Sequence, residues 1–136
     1  MVEYINSKKV FLDKSSALLS VIEFNSLPWL PARIYWLQDF KNGTERGNHA
    51  HKKLSQIFFM MNGNVTIEIF QGLESKKITL NQESDPILLL PGTWRTISDA
   101  SSNAILMVFA DSPYDENDYI RDWEIYQEWY IKEFRS

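Results

Sequence analysis

The sequence predicts an all-β domain closed by one C-terminal α-helix, and three observations carry that prediction. Short apolar or alternating runs recur from Val10 to Ala110, as in a β-barrel or β-sandwich. Turn-forming residues separate them: Lys41-Asn42-Gly43, Asn62-Gly63-Asn64, Gln71-Gly72 and Pro91-Gly92. After Ser112-Pro113 the period changes. Trp123, Tyr126, Tyr130 and Phe134 follow at spacings of three, four and four, which is one face of a helix. Acidic residues near its start suit the helix dipole, and the helix is expected over about 117–134.

Taken in order, Val10-Phe11-Leu12 is a short apolar run ending at Asp13, and Ala17 to Phe24 reads as a buried or half-buried strand. Leu27-Pro28-Trp29-Leu30-Pro31 cannot be helix interior, because each proline lacks a donor and biases its predecessor to extended geometry. Arg33-Ile34-Tyr35-Trp36-Leu37 has the β-branched and aromatic content of a strand. Ile57 to Met61 is a continuous apolar strand, and Asn62-Gly63-Asn64 is expected as a hairpin turn. Val65 to Phe70 alternates, as a strand with one wet face does. Lys77–Leu80, Ile87–Leu90, Thr93–Ile97 and Ala104–Ala110 complete the strands. No repeat or linker interrupts the 136 residues, so residues 1–136 are expected as one domain.

Composition removes several function classes. A net charge of −4 argues against nucleic acid as the main partner, which needs a basic face. Cysteine is absent, which excludes a disulfide framework, a thiolate metal site and a cysteine nucleophile. No apolar run is long enough to cross a membrane, and Met1-Val2-Glu3-Tyr4 is not a signal peptide. The expected location is the cytoplasm. Aromatic residues make up 14% of the chain, enough for both core and ring-stacking surface.

The chain has two histidines, His49 and His51, in the segment Arg46-Gly47-Asn48-His49-Ala50-His51. On a strand, residues i and i+2 share a face, so the two imidazoles project side by side. Such a pair serves either metal binding or acid–base work. The spacing resembles the first motif of the cupin superfamily: His-x-His, four residues, Glu, six residues, Gly. Here it reads His49-Ala50-His51, Gln56, Gly63. The second cupin motif ends Gly-x-x-His, and here it is Gly92-Thr93-Trp94-Arg95. Gln56 is a poor metal ligand, and the Arg95 guanidinium repels a cation from the place of the third imidazole. No metal and no cofactor are expected. Arg46 and Arg95 would depress the histidine pKa values and leave neutral imidazoles, which are competent general bases. An arginine in the same cavity could stabilise an enolate oxygen or hold a phosphate. Proton abstraction beside a carbonyl fits this set. The alternative is that both histidines are hydrogen-bonded structural residues on a partly exposed strand.

With these residues in view, the chain resembles the sugar nucleotide 3,4-ketoisomerases, the dTDP-4-keto-6-deoxyglucose 3,4-ketoisomerases of bacterial deoxysugar pathways. The resemblance rests on Ile22-Glu23, Leu27-Pro28-Trp29, Arg33-Ile34-Tyr35, Arg46 through Leu54, Asn62-Gly63, Pro91-Gly92-Thr93-Trp94 and Tyr114 through Asp122. It implies a cupin-like jelly roll, catalysis without a cofactor, and a homodimer that exchanges N-terminal strands. The implied reaction moves the keto group of a dTDP-linked hexose from C-4 to C-3 through an enediol. The product would then be aminated at C-3 by a separate PLP enzyme and acylated for a lipopolysaccharide or glycoprotein glycan. On this resemblance His49 moves the carbon-bound proton and His51 relays the oxygen proton, or the reverse. Tyr35 is a hydrogen-bond partner or second relay, or else an ordinary core aromatic. Arg33 and Arg46 contact the diphosphate or nucleotide, Arg95 faces the sugar, and Gln56 orients a histidine. Trp94 stacks on a ring or packs in the core. Family members often carry Asp-x-Arg-Gly near position 13, where this chain has Asp13-Lys14-Ser15-Ser16. The lack of arginine at position 15, with Arg95 present, points to the gluco (quinovose-type) product over the galacto (fucose-type) one. Two other classes compete: a cupin that binds a sugar nucleotide without turnover, and a metal-dependent cupin dioxygenase, which Gln56 and Arg95 disfavour.

Overall fold

The computed structural model describes residues 2–11 and 17–135. Leu12, Asp13 and Ser15, on which two of the expectations above fall, lie outside them. The chain forms β1 (Glu3–Tyr4), β2 (Lys8–Phe11), β3 (Leu18–Val21), β4 (Arg33–Leu37), β5 (Arg46–His51) and β6 (Gln56–Asn62). It continues with β7 (Asn64–Gln71), β8 (Glu74–Asn81), β9 (Ile87–Leu89), β10 (Trp94–Ser98), β11 (Ile105–Ala110), β12 (Tyr119–Ile120) and the helix α1 (Trp123–Phe134). Two five-stranded antiparallel sheets, β1-β9-β6-β11-β4 and β12-β5-β10-β7-β8, form the body, and β2 pairs with β3 alone. The all-β reading with a C-terminal helix holds, and the arrangement is the cupin-like jelly roll that the resemblance implies.

The side-chain period of two builds the layers. Phe58 and Met60 of β6, Leu106 and Val108 of β11, and Ile87 and Leu89 of β9 point inward and meet Val65, Ile67, Ile69, Leu80 and Ile97 of the other sheet. The intervening residues Ile57, Leu88 and Phe109 face the other way and are covered by Ile5, Ile22, Leu27 and Trp29. The first sheet is thus buried on both faces over β6, which explains its unbroken apolar run. The outer face of the second sheet carries α1: Ala50, Trp94 and Ile120 pack against Tyr126, with Phe70, Trp123, Trp129 and Tyr130 around them. The Tyr126 hydroxyl accepts from Gly72 N (3.0 Å) and lies 2.8 Å from Gly92 O, fixing the helix to two turns.

Three expectations require correction. Asn62-Gly63-Asn64 is not a hairpin, because β6 and β7 belong to different sheets. The chain crosses between sheets at Gly63, whose φ is +67° and whose place for a Cβ lies 2.3 Å from Ser101 Oγ. The loop near Ser101 anchors this corner through Ser101 N to Asn64 O (2.9 Å) and Asn62 Nδ2 to Asn103 O (3.0 Å). The Ala17–Phe24 run yields the short β3, with Leu18 and Leu19 exposed, since among the described residues only β2 pairs with it. Finally, α1 starts at Trp123 rather than near 117. A 3₁₀ turn over Glu116–Asp118, capped by Asp115, leads into β12, which pairs with β5 through Tyr119–His51 and Ile120–Ala50. Asp122 then caps the helix by accepting from Ile125 N (2.9 Å).

Candidate active site

An open cavity of about 490 Å³ lies between the sheets, within the usual range for a small-molecule site. Its apolar floor includes Phe58, Ile97 and Val108, continuous with the core. Polar walls come from both sheets: Arg33 and Tyr35 from β4, Arg46 and His49 from β5, Gln56 from β6, and Arg95 from β10.

Strand β5 supplies its residues through a β-bulge. His49 pairs with Arg95, but Gly47 pairs with Thr96 and Arg46 with Ile97. Asn48 is therefore an extra residue, in a left-handed conformation with φ of 55°. Its side chain accepts from Thr96 Oγ1 (3.0 Å). Residues paired across a ladder share a face, so the bulge lets Arg46 and His49, which strict alternation would send to opposite faces, both line the cavity. Gly47 has φ of +88°, and a Cβ there would sit 2.9 Å from Arg95 O, so only glycine fits without strain.

The two histidines share a face, as strand geometry requires, with ring centroids 4.9 Å apart and planes at 88°. Ala50 between them points to the helix side. His49 lines the cavity, and its Nδ1 lies 3.0 Å from Gly47 O. That contact requires Nδ1 to donate, leaving Nε2 with the lone pair. His51 is fully buried behind it, and its Nδ1 meets Asp118 Oδ2 at 3.1 Å. Burial first, then the Arg95 guanidinium, lowers the pKa of both rings to about 3. Both imidazoles are neutral near pH 7.

Arg95 is completely buried and pairs with no carboxylate among the described residues. It donates to Gln56 Oε1 through Nη1, and to Thr93 O through Nε (3.3 Å) and Nη2 (3.0 Å). Burial lowers its pKa to about 10, which still leaves it cationic at neutral pH. Gln56 Nε2 in turn donates to the Tyr35 hydroxyl (2.9 Å). Tyr35 OH therefore accepts from the protein and keeps its own proton for a partner in the cavity. Burial raises its pKa, which keeps it a phenol. Gln56 thus orients Tyr35 rather than a histidine.

The structure brings together seven of the eight side chains singled out in the sequence, six on the cavity wall and His51 directly behind it. Trp94 is the exception. Its neighbour Arg95 points inward, so its indole points outward and packs edge-on against Trp123 at 5.2 Å. It is core, as one of the two readings had it, and does not line the cavity. Three participants had no role assigned from the sequence. Tyr119 lies with its ring 4.9 Å from His49 and 4.3 Å from His51. Arg121 sits over the Tyr119 ring at 4.2 Å and bonds Glu116 at 2.8 and 3.0 Å. Asp118 holds His51. All three belong to the Tyr114–Asp122 string. Its density of charged and aromatic residues was the available signal, but helical periodicity downstream absorbed it into the helix.

Comparison with known proteins agrees with this geometry. A protein-family model, FdtA (WxcM-like, C-terminal), matches residues 2–130. The TDP-4-oxo-6-deoxy-alpha-D-glucose-3,4-oxoisomerase of Aneurinibacillus thermoaerophilus is 34% identical over 128 residues, covering 94% of this chain and 91% of that protein. A point variant of the 3,4-ketoisomerase QdtA from Thermoanaerobacterium thermosaccharolyticum, solved with TDP-4-keto-6-deoxyglucose, superposes with a TM-score of 0.91 at 33% identity, covering 99% of this chain and 97% of that one. A 3,4-ketoisomerase from Helicobacter canadensis gives a TM-score of 0.83 at 31% identity, covering 96% of each chain. Histidine pair, cationic cavity and jelly roll thus come with a family match over nearly the whole sequence, and the chain belongs to the FdtA (WxcM-like, C-terminal) family.

Proposed function

We infer that the chain is a sugar nucleotide 3,4-ketoisomerase that converts TDP-4-keto-6-deoxyglucose to a 3-keto-6-deoxyhexose, in deoxysugar biosynthesis. The observation that carries the mechanism is His49: a neutral imidazole on the cavity wall whose Nδ1 is committed to Gly47 O, so that Nε2 is the basic nitrogen. In the proposed reaction Nε2 takes the C-3 proton, made acidic by the neighbouring C-4 ketone. O-4 gains a proton as the C-3–C-4 enediol forms. The O-3 proton then leaves, C-4 gains a proton, and the ketone stands at C-3. Tyr35 is the donor placed for a substrate oxygen, since Gln56 already fills its acceptor side. The buried Arg95 cation stabilises negative charge on the enediolate. Arg33 and Arg46 suit a diphosphate.

The chemistry proceeds without a metal or cofactor. The donor set supports this: Gln56 and Arg95 bond each other at the two positions where a cupin metal site needs a carboxylate and an imidazole. Arg95, with Ser15 in place of arginine, supports the gluco (quinovose-type) product. A homodimer with exchanged N-terminal strands goes with this reading. In its support, β4 is a sheet edge whose outer residues Ile34 and Trp36 are 43% and 57% exposed, and the β2–β3 hairpin joins neither large sheet. The described residues contain no helix long and apolar enough to cross a membrane. The cysteine-free sequence fits a cytoplasmic site of action.

The test is incubation with TDP-4-keto-6-deoxyglucose in deuterated water, followed by NMR of the product. A 3-keto sugar carrying ring deuterium is expected. Binding without turnover would instead make the chain a sugar-nucleotide sensor. Coupling to a C-3 aminotransferase and reading the C-4 configuration decides between gluco and galacto products.

A further inference from the structure

We propose that Asp118 is a positioning residue for proton transfer: it fixes His51 as the Nδ1–H tautomer, so that Nε2 is the only basic nitrogen of that ring. The proposal rests on the isomerase reading for its kinetic consequence, but its structural content stands on geometry alone.

The Asp118 carboxylate cannot turn away from its task. Oδ1 accepts from Lys53 N (2.8 Å), and Oδ2 accepts from Leu54 N (3.3 Å). The Asp118 backbone is also held, its carbonyl accepting from Lys52 N (2.9 Å) and its N–H donating to Asp115 O (3.1 Å). These bonds hold Oδ2 3.1 Å from His51 Nδ1. A carboxylate so fixed has only acceptor oxygens. A lone pair on Nδ1 would face a negative oxygen, whereas an N–H there makes a charge-assisted bond. At the other end of the ring, Nε2 is buried and has no hydrogen-bond donor among the described residues. Thr93 Oγ1 is also buried and without a partner. It follows Gly92, whose N–H donates to His51 O (2.8 Å). A buried acceptor left open costs stability unless it serves a purpose. Here the open lone pair lies on the ring beside His49.

The arrangement also matches the two histidines to each other. Gly47 O fixes His49, and Asp118 fixes His51, in the same tautomer. Both rings therefore offer Nε2, and neither offers a proton until it has received one. That is the state required of a pair that accepts and returns protons within one turnover.

The experiment is ¹⁵N NMR of the histidine rings in the intact protein near neutral pH, with steady-state kinetics alongside. Only two rings contribute, and His49→Gln identifies the signals of His51. The wild-type His51 is expected to show a protonated Nδ1 and a bare Nε2. In Asp118→Asn the carboxamide can no longer accept at both oxygens. The His51 signals are expected to move toward the Nε2–H tautomer, and kcat to fall on the order of 10–100-fold with little change in KM. A His51 ring protonated on Nε2 in the wild type overturns the proposal without Asp118→Asn, so the test does not depend on that variant folding. An Asp118→Asn protein that keeps the wild-type ring signature, or keeps kcat and loses only thermal stability, overturns it too and makes Asp118 purely structural. A wild type with the expected tautomer but no isomerase activity leaves the lock standing and refutes the isomerase reading instead.

Discussion

The space between the two sheets is filled in two different ways. In one part, Phe58, Met60, Ile67, Leu80, Ile87 and Leu106 interdigitate with scarcely any exposure. In the other, the same strands enclose a buried guanidinium, two neutral imidazoles and a phenol with a free proton. The first part lowers the free energy of the fold through apolar burial and close packing. The second keeps groups that are poorly solvated and incompletely paired, which disfavours folding but prepares them for a substrate. Stability and chemistry are therefore separable by position, although the strands are shared.

That separation can be broken or sharpened by experiment. The largest effect is expected at His49→Gln, where isomerisation should fall about 10²–10⁴-fold while the melting temperature holds or rises; coupled turnover assays and calorimetry read both. Leu106→Ala should do the opposite. It removes a fully buried side chain at a cost of about 2–5 kcal/mol, measured by denaturant unfolding, with kcat per folded molecule retained. A dead but stable Leu106→Ala protein would undo the division.

Part of the destabilisation by acid should come from the cavity, beside the loss from Glu116, whose carboxyl pKa the Arg121 bond holds at about 2. Both histidines have folded pKa values near 3, below the ordinary ~6.5 of an unfolded chain. Above that ordinary value neither state binds a proton and there is no effect. As the pH falls from there toward 3, the unfolded chain takes up protons that the folded one refuses, so stability drops. Each histidine contributes roughly 1 kcal/mol per pH unit in this window. The acid side of a stability–pH curve should be shallower in His49→Gln than in the wild type. The smallest stability change is expected at Arg95→Met, within about 1–2 kcal/mol of wild type and of either sign, because a buried cation with no carboxylate partner among the described residues is replaced by an apolar chain of similar length. Turnover should still collapse. A large loss of stability there would show that Gln56 and Thr93 O fully offset the burial of the charge.

Much of this division was legible in the sequence. Alternation located most of the strands, since burial on one or both faces writes a period of two or an unbroken apolar run. The His-x-His spacing placed two imidazoles on one face. The cupin spacing also singled out Gln56 and Arg95, which the structure places together on the cavity wall. What stayed hidden depends on neighbours far along the chain. Asn62-Gly63-Asn64 has the composition of a hairpin, but the partners of β6 and β7 are set by packing, which a local motif does not record. Trp94 has the same sequence signature whether its ring meets a ligand or a helix. Asp118 is 67 positions from His51. Its role exists only because β12 interrupts what looked like the start of a helix. The extra residue in β5 leaves no mark beyond Gly47-Asn48, a pair that suits many turns.

That extra residue has a wider consequence. A strand is an alternating script, and Asn48 is a half-period slip in it. Upstream of the slip the script places Arg46, proposed above for the diphosphate; downstream it places the histidine pair, proposed for proton transfer. Substitutions alter one letter, whereas deleting position 48 would change the phase of everything on one side and turn Arg46 to the opposite face. The orientations of Arg46 and of the histidine pair are thus joined by a single unit of chain length, so an insertion or deletion here is expected to disturb the cavity more sharply than an exchange of one side chain.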